Sequence, residues 1–250
     1  MSETLQKFQT TPIIEAVLDI ECDIPGDFNP ELIQKHATEL VEDYPVINTQ
    51  YAQEFVFTVS DESSSRNVAK SPAAVQFRTP DKLQLVQFRK GGYSFNRLAP
   101  YRGLDSYLPE IDRTWQIYRR VVNPVQVTAL RLRYINRLLL PAQDGQLSLS
   151  DYLKISPQLP SPANLMFTGF FNQHTAVEAG TGNAATILLV SEPGNETQYP
   201  IVFDITVAKA AGVDPSDWAW ILSQIGSLRI LKNRIFEHTL TEKCLNLYQH

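Results

Sequence analysis

The chain has 250 residues, 43% of them hydrophobic and 20% charged, which is ordinary globular composition with enough apolar material for a sizeable core. A formal net charge of −5 argues against a broad nucleic-acid surface, because a protein that neutralises many phosphates carries a basic excess. No window approaches 18 consecutive apolar residues and the stretch 1–11 has no signal-like apolar centre, so the expectation is a cytoplasmic protein with no membrane partner.

In chain order, Pro12 opens a strand over 13–24, in which Ile14, Ala16, Leu18 and Ile20 alternate with Glu15, Val17, Asp19 and Glu21. Pro25-Gly26 ends it. Asn29, with Pro30 and Glu31 behind it, starts a helix that runs to about Tyr44-Pro45 and buries Leu32, Ile33, Leu40 and Val41. Residues 53–60 read as a strand, and the Ser-rich polar segment 61–72 reads as a mobile loop. Strands over 73–79 and 82–89 flank a turn at Pro80-Asp81, and Gly91-Gly92 interrupts a strand that resumes over 93–98. From 104 to 122 a helical period aligns Tyr107, Leu108, Ile111, Trp115, Tyr118 and Val122, until Asn123-Pro124 stops it.

The order then starts again. A long strand covers 125–141, and Ser148 or Ser150 caps a short helix through Leu153. A loop carrying Pro157, Pro160 and Pro162 leads to strands over 165–179 (with Phe167, Phe170 and Phe171), 184–191 and 199–209. Asp214-Pro215 starts a long helix to about His238, apolar over much of its girth, and Thr241 caps a last turn. Both halves, 1–124 and 125–250, thus read strand, helix, three strands, long helix. The expected fold class is α+β, with two similar halves packed as one unit. Their antiparallel sheets join through the first strands into a continuous saddle with the helices on one face.

The segment 130–139, LRLRYINRLL, carries the most unusual chemistry. Strand alternation sends Arg131, Arg133 and Arg137 to one face and Tyr134 and Asn136 to the other. Guanidiniums cannot shed their charge, so three on one face need carboxylates or a bound anion. Glu15, Asp19 and Glu21 share a face of the first strand, and if the two strands are neighbours, cross-strand ion pairs follow. The alternative is an anion site lining an open concavity. Asp204 is a further acidic partner for an arginine, and Asn136, alone among apolar neighbours, is expected to satisfy nearby backbone.

His36, His174, His238 and His250 share no metal spacing, and neither do Cys22 and Cys244, which fit free thiols with one long-range bridge as the alternative. No phosphate loop, dinucleotide fingerprint or nucleophile elbow occurs, so neither metal nor cofactor is expected.

The combination of PIIEA at 12–16, YSFNR at 93–97 with Tyr101 after it, LRYINR at 132–137 and NRIF at 233–236 resembles a sporadically distributed bacterial family of about this length with a central R-Y-x-N-R signature. The resemblance spans essentially the whole chain. It implies a bacterial source and an accessory setting, such as defence or toxin–antitoxin genes, but no activity. It adds Arg97 to the candidate ligand residues Arg131, Arg133, Arg137, Tyr134 and Asn136.

The leading expectation is a non-catalytic binding or interaction protein, with a protein partner or a second copy, or a small anion, as ligand. One alternative is a metal-dependent, phosphate-directed enzyme using the first-strand carboxylates and the arginines. This looks distantly like the triphosphate-tunnel enzymes, although Cys22 and Asp23 stand where those place a lysine. A second is nucleic-acid binding on the concave sheet face.

Overall fold

A computed structural model describes residues 11–60, 63–142, 148–160, 165 and 168–248, with 54–60 and 63–69 described for their backbone alone. Expectations for residues 1–10, Asp61, Glu62, Pro162, Phe167 and His250 fall outside the described residues. The architecture is α+β. One antiparallel sheet of nine strands carries its helices on a single face.

The strands are β1 (Ile13–Asp23), β2 (Val46–Ser60), β3 (Ser63–Arg78), β4 (Gln84–Arg89), β5 (Gly92–Leu98), β6 (Gln126–Pro141), β7 (Phe171–Val177), β8 (Ala184–Ser191) and β9 (Gln198–Val213). The helices are α1 (Pro30–His36), α2 (Leu108–Val122), α3 (Trp218–Thr239) and α4 (Glu242–Asn246). Their spatial order, β2-β3-β4-β5-β1-β6-β9-β8-β7, puts the first strand of each half side by side at the centre. In each half the last strand folds back beside the first, and earlier strands step outward.

Alternation of the central strands divides the molecule. Ala16, Leu18 and Ile20 of β1, Leu130, Leu132 and Leu138 of β6, and Phe203 and Ile205 of β9 turn to the helix side and are buried. They meet Ile33 of α1, Ile111, Trp115 and Tyr118 of α2, and Ile221, Ile225 and Leu228 of α3 in one continuous core. In the first half the core is aromatic: Tyr93 packs edge-on against Trp115 and Tyr118, and its hydroxyl bonds Thr114 at 2.7 Å. Cys22 and Cys244 are both buried free thiols, and burial pushes each up to about 12, so neither is a ready nucleophile.

Several boundaries differ from the sequence reading. The segment expected as a loop at 61–72 contains the start of β3, which pairs with β2 from Val46↔Arg78 out to Ser60↔Ser63. Backbone pairing defines this hairpin, and among the described residues only Ala74–Arg78 of β3 go on to pair with β4. The helix expected through 44 stops at His36 and is followed by a 3-10 turn over Thr38–Leu40. The single interrupted strand around Gly91-Gly92 is a true hairpin of β4 and β5, so the first half has five strands and the second four. β7 begins at Phe171 rather than 165, and α3 is capped by Asp217 rather than Asp214, whose carboxylate instead accepts from the Ser216 amide at 2.7 Å.

Gly92 sits at φ +134°, where a Cβ would lie 2.2 Å from the Ile20 carbonyl oxygen of β1, whereas a Cβ on Gly91 meets nothing. Gly92→Ala is therefore expected to lower stability by at least 2 kcal/mol or so, from strain plus the backbone clash, and Gly91→Ala to be nearly neutral. Urea unfolding of the two variants checks this contrast.

Candidate functional site

β6 pairs with β1 on one side and β9 on the other, so its arginines lie at the centre of the open face. Each has a carboxylate. Arg131 meets Glu21 at 2.8 Å, Arg133 grips Asp204 through Nη2 at 2.6 Å and Nε at 2.9 Å, and Arg137 meets Glu192 at 2.7 Å. Only the first of these pairs crosses to β1. Asp19 instead takes Arg89 of β4 at 3.1 Å and a hydrogen bond from Ser94, and Glu15 accepts from Asn96 at 2.8 Å.

That last bond ends a chain of side-chain bonds running across four strands. Arg78 donates to Gln76 (3.0 Å), Gln76 to Gln87 (2.8 Å), Gln87 to Asn96 (3.0 Å) and Asn96 to Glu15. Every donor points the same way, from guanidinium to carboxylate, so the bonds polarise one another. A shallow concavity of about 500 Å³ lies over this face, lined by Glu15, Asp19, Arg131, Arg133 and Asp204 among others. Its three carboxylates outnumber its two arginines, and each is engaged by a protein donor.

The other two residues of the signature, Tyr134 and Asn136, point to the opposite side of the sheet. There they join a second pocket of about 350 Å³ between the start of β1, the loop 101–104 and the C-terminal half of α3. Asn136 is 1% exposed, and its Nδ2 donates to the Phe203 carbonyl at 2.9 Å and more weakly to that of Tyr134. Two carbonyl partners settle which end of the amide is nitrogen, so its Oδ1 is the end left as an acceptor. The β1–β6 ladder shifts register here, between Ile13↔Asn136 and Glu15↔Ile135. The hydroxyls of Tyr134 and Tyr101 bond each other at 3.1 Å, and burial pushes both phenols upward, so both stay neutral.

α3 supplies the charge. Arg229 lines the pocket while holding Asp105 at 2.6 Å, and one turn on, the Lys232 ammonium rests 4.2 Å from the centroid of the Tyr134 ring. Among the described residues, no carboxylate lies within ion-pair distance of Lys232. Its side chain keeps an opening to the pocket, but neighbouring atoms crowd the ammonium closely enough that desolvation, with Arg229 adding repulsion and Glu237 opposing it, pulls its pKa down to about 8. Among the described residues, Arg102, Arg229 and Lys232 give the lining three cations against the single carboxylate of Glu237.

Arg97 lies away from the arginine stripe. It opposes Ala16 on the helix side, with its guanidinium 5.5 Å from the Tyr107 ring centroid and its Nε buried without a hydrogen-bond partner. The two halves of R-Y-x-N-R thus serve different sides of the sheet. Lys232, Arg229 and Arg102 were absent from the sequence-based candidates. A signal existed: Ile221, Ile225, Leu228 and Phe236 form a buried stripe at helical spacing, and Lys232 occupies the stripe's next position after Leu228.

Comparison with protein families, with curated proteins and with solved structures finds no match. Among the described residues no group of His, Cys, Asp or Glu is placed to hold a metal ion, and no helix is long and apolar enough to cross a membrane.

The Arg133–Asp204 pair should matter more than the rest of the ladder, because it is bidentate and Asp204 is only 6% exposed. A double-mutant cycle with Arg133→Ala and Asp204→Ala is expected to give a coupling of about 1 kcal/mol, held down by solvent around the half-exposed guanidinium. The same cycle on Arg137 and Glu192, both more exposed, should give less than about half of that.

Proposed function

We propose that this protein is a non-catalytic binding protein for a small anionic ligand, received in the pocket between β6, the loop 101–104 and α3. The observation that carries this reading is Lys232: a lysine in line with the buried stripe of a core helix, facing a cavity and lacking a carboxylate partner among the described residues. A desolvated ammonium without a counter-ion costs stability, and a helix selected for packing alone would place leucine or methionine there. An arriving anion would supply the missing charge. Asn136 and Asn233 would orient it, and Arg229 and Arg102 would add attraction.

The open face supports this choice from the other side. Its arginines already have carboxylates, which leaves little positive potential for a phosphate or a nucleic-acid backbone. Of the first-strand carboxylates that a metal-dependent phosphate chemistry would require, Glu15, Asp19 and Glu21 are taken by Asn96, by Ser94 and Arg89, and by Arg131.

Lys232→Met separates binding from stability. The variant keeps side-chain length and removes the uncompensated charge. It should melt a few degrees higher than the parent at pH 7, since about 1 kcal/mol moves the midpoint by roughly 2–4 °C at this size. It should also lose any stabilisation by small carboxylates or inorganic phosphate. Differential scanning fluorimetry with and without these anions reads both effects. A variant that melts lower than the parent and responds to anions unchanged would sink the proposal.

The pH dependence has a definite sign. The folded-state pKa of Lys232, about 8, lies below its ordinary value of 10.5, so the folding penalty is complete below pH 8 and is relieved between pH 8 and 10.5. A bound anion favours the charged form, so affinity should be flat below pH 8 and fall above it. Arg229 and Glu237 on α3, Tyr134 on β6, and Tyr101 and Arg102 on the loop are the other charged or titratable groups in the pocket. The phenols, pushed upward by burial, do not titrate in that window. Calorimetric titration between pH 6 and 10 should show the decline in the parent and none in Lys232→Met.

A further inference from the structure

Resting on the anion-pocket reading above, we infer that the ligand is an α-hydroxy or α-amino carboxylic acid with an apolar or aromatic body, rather than a free inorganic oxyanion. Three features of the wall specify it. The first is the ammonium of Lys232, with Arg229 beside it bound through one Nη to Asp105, which together suit one carboxylate.

The second is how much of the wall is apolar. Ile13, Leu104, Phe236, Tyr101 and Tyr134 line the same cavity, and the Phe236 ring stacks on Phe203 with centroids 5.7 Å apart, fixing its orientation. An inorganic phosphate would leave those surfaces wet or empty, whereas a hydrocarbon body would cover them. A cavity of about 350 Å³ accommodates such a molecule, being near the lower end of ordinary small-molecule pockets.

The third is an acceptor. With Nδ2 of Asn136 committed to the carbonyls of Phe203 and Tyr134, its Oδ1 is the group left for a ligand, and it can only accept. Asn136 is held in that pose by the strand itself. Glu237, on the same wall, is a second acceptor. A carboxylate alone has nothing to donate to either; a hydroxyl or ammonium on the neighbouring carbon does. Acceptors beside cations therefore call for a donor beside an anion. Binding needs no covalent step, and none is inferred.

The test is a calorimetric series on the full chain at pH 7 with 3-phenyllactate, phenylalanine, 3-phenylpropionate, acetate and inorganic phosphate. Phenyllactate or phenylalanine should bind tightest. Phenylpropionate, which lacks the donor, should be weaker by about fivefold, the effect of one hydrogen bond between neutral groups. Acetate, which lacks the body, should be weaker by at least roughly a further tenfold, given the area an aromatic ring buries.

Phosphate or acetate binding as tightly as phenyllactate would overturn this inference while leaving an anion pocket. Phenylpropionate equalling or exceeding both donor-bearing acids would likewise overturn it, by removing the role of the acceptor. No heat or thermal shift with any of the five would overturn this inference and the anion reading together. Ile13→Ala, which shortens an apolar wall residue only partly buried in the core, gives an independent check. It should weaken phenyllactate severalfold and leave acetate unchanged; an equal loss for both would count against the apolar subsite.

Discussion

Everything in this fold depends on the antiparallel register of β1 against β6. Their pairing, from Ile13↔Asn136 to Asp23↔Gln126, joins the two half-sheets into one. Because side chains alternate with a period of two, the same register decides which chemistry each side of the sheet receives. Residues of one parity, with Arg131 and Arg133 beside Glu15 and Asp19, form the open charged face. Residues of the other parity, with Leu132, Tyr134 and Asn136, meet the helices. A slip of one residue would bury the guanidiniums against Ile111 and Leu228, so the register is enforced by the cost of unpaired buried charge as much as by apolar gain.

The alternation made the central strands legible. Period-two patterns in 13–24 and 125–141 coincide closely with β1 and β6, and the charge complementarity of their faces anticipated that the two meet. The partners proved less regular than facing stripes suggest. Arg133 reaches β9 rather than β1, since Asp204 presents its carboxylate from the other neighbouring strand, and Asp19 is drawn to Arg89 and Ser94. Each central strand has two neighbours, and sequence periodicity does not say which one supplies the countercharge. The segment 61–72 was misjudged for a different reason. Polar composition carries no strand periodicity, but strands are defined by backbone bonds, and those of β2 and β3 pair through this segment.

The helix-side pocket was the least legible part, because its members come from widely separated segments. Pro12 and Ile13 stand at the start of β1, the loop 101–104 precedes α2, and Arg229, Lys232 and Asn233 arrive with α3 near the end of the chain. No local spacing links them. What a sequence can show is a single anomaly, a lysine where the helical stripe of Ile221, Ile225, Leu228 and Phe236 calls for an apolar residue. In a helix apolar on several sides, that anomaly is easily read as the edge of a wide stripe.

The recurrence of element order makes the anomaly more informative. The long helix of each half covers the strands beside it, yet the two cover them differently. α2 packs Trp115 and Tyr118 on Tyr93 and Phe88, where the Tyr93 hydroxyl bonds Thr114 while Trp115 Nε1 and the Tyr118 hydroxyl are buried without a hydrogen-bond partner among the described residues. α3 leaves a cavity at the corresponding end of β6 and aims Lys232 across the face of Tyr134. The first half shows that this architecture can pack its helix–sheet layer tightly with aromatic side chains, leaving a gap of only about 10 Å³ beside β1, β5 and the start of α2. The larger opening in the second half, walled by a cation without a counter-ion among the described residues and by an amide with an acceptor to spare, is therefore not imposed by the fold. A demand other than stability would account for such an opening, and the proposed anionic ligand is one that would engage both Lys232 and Asn136.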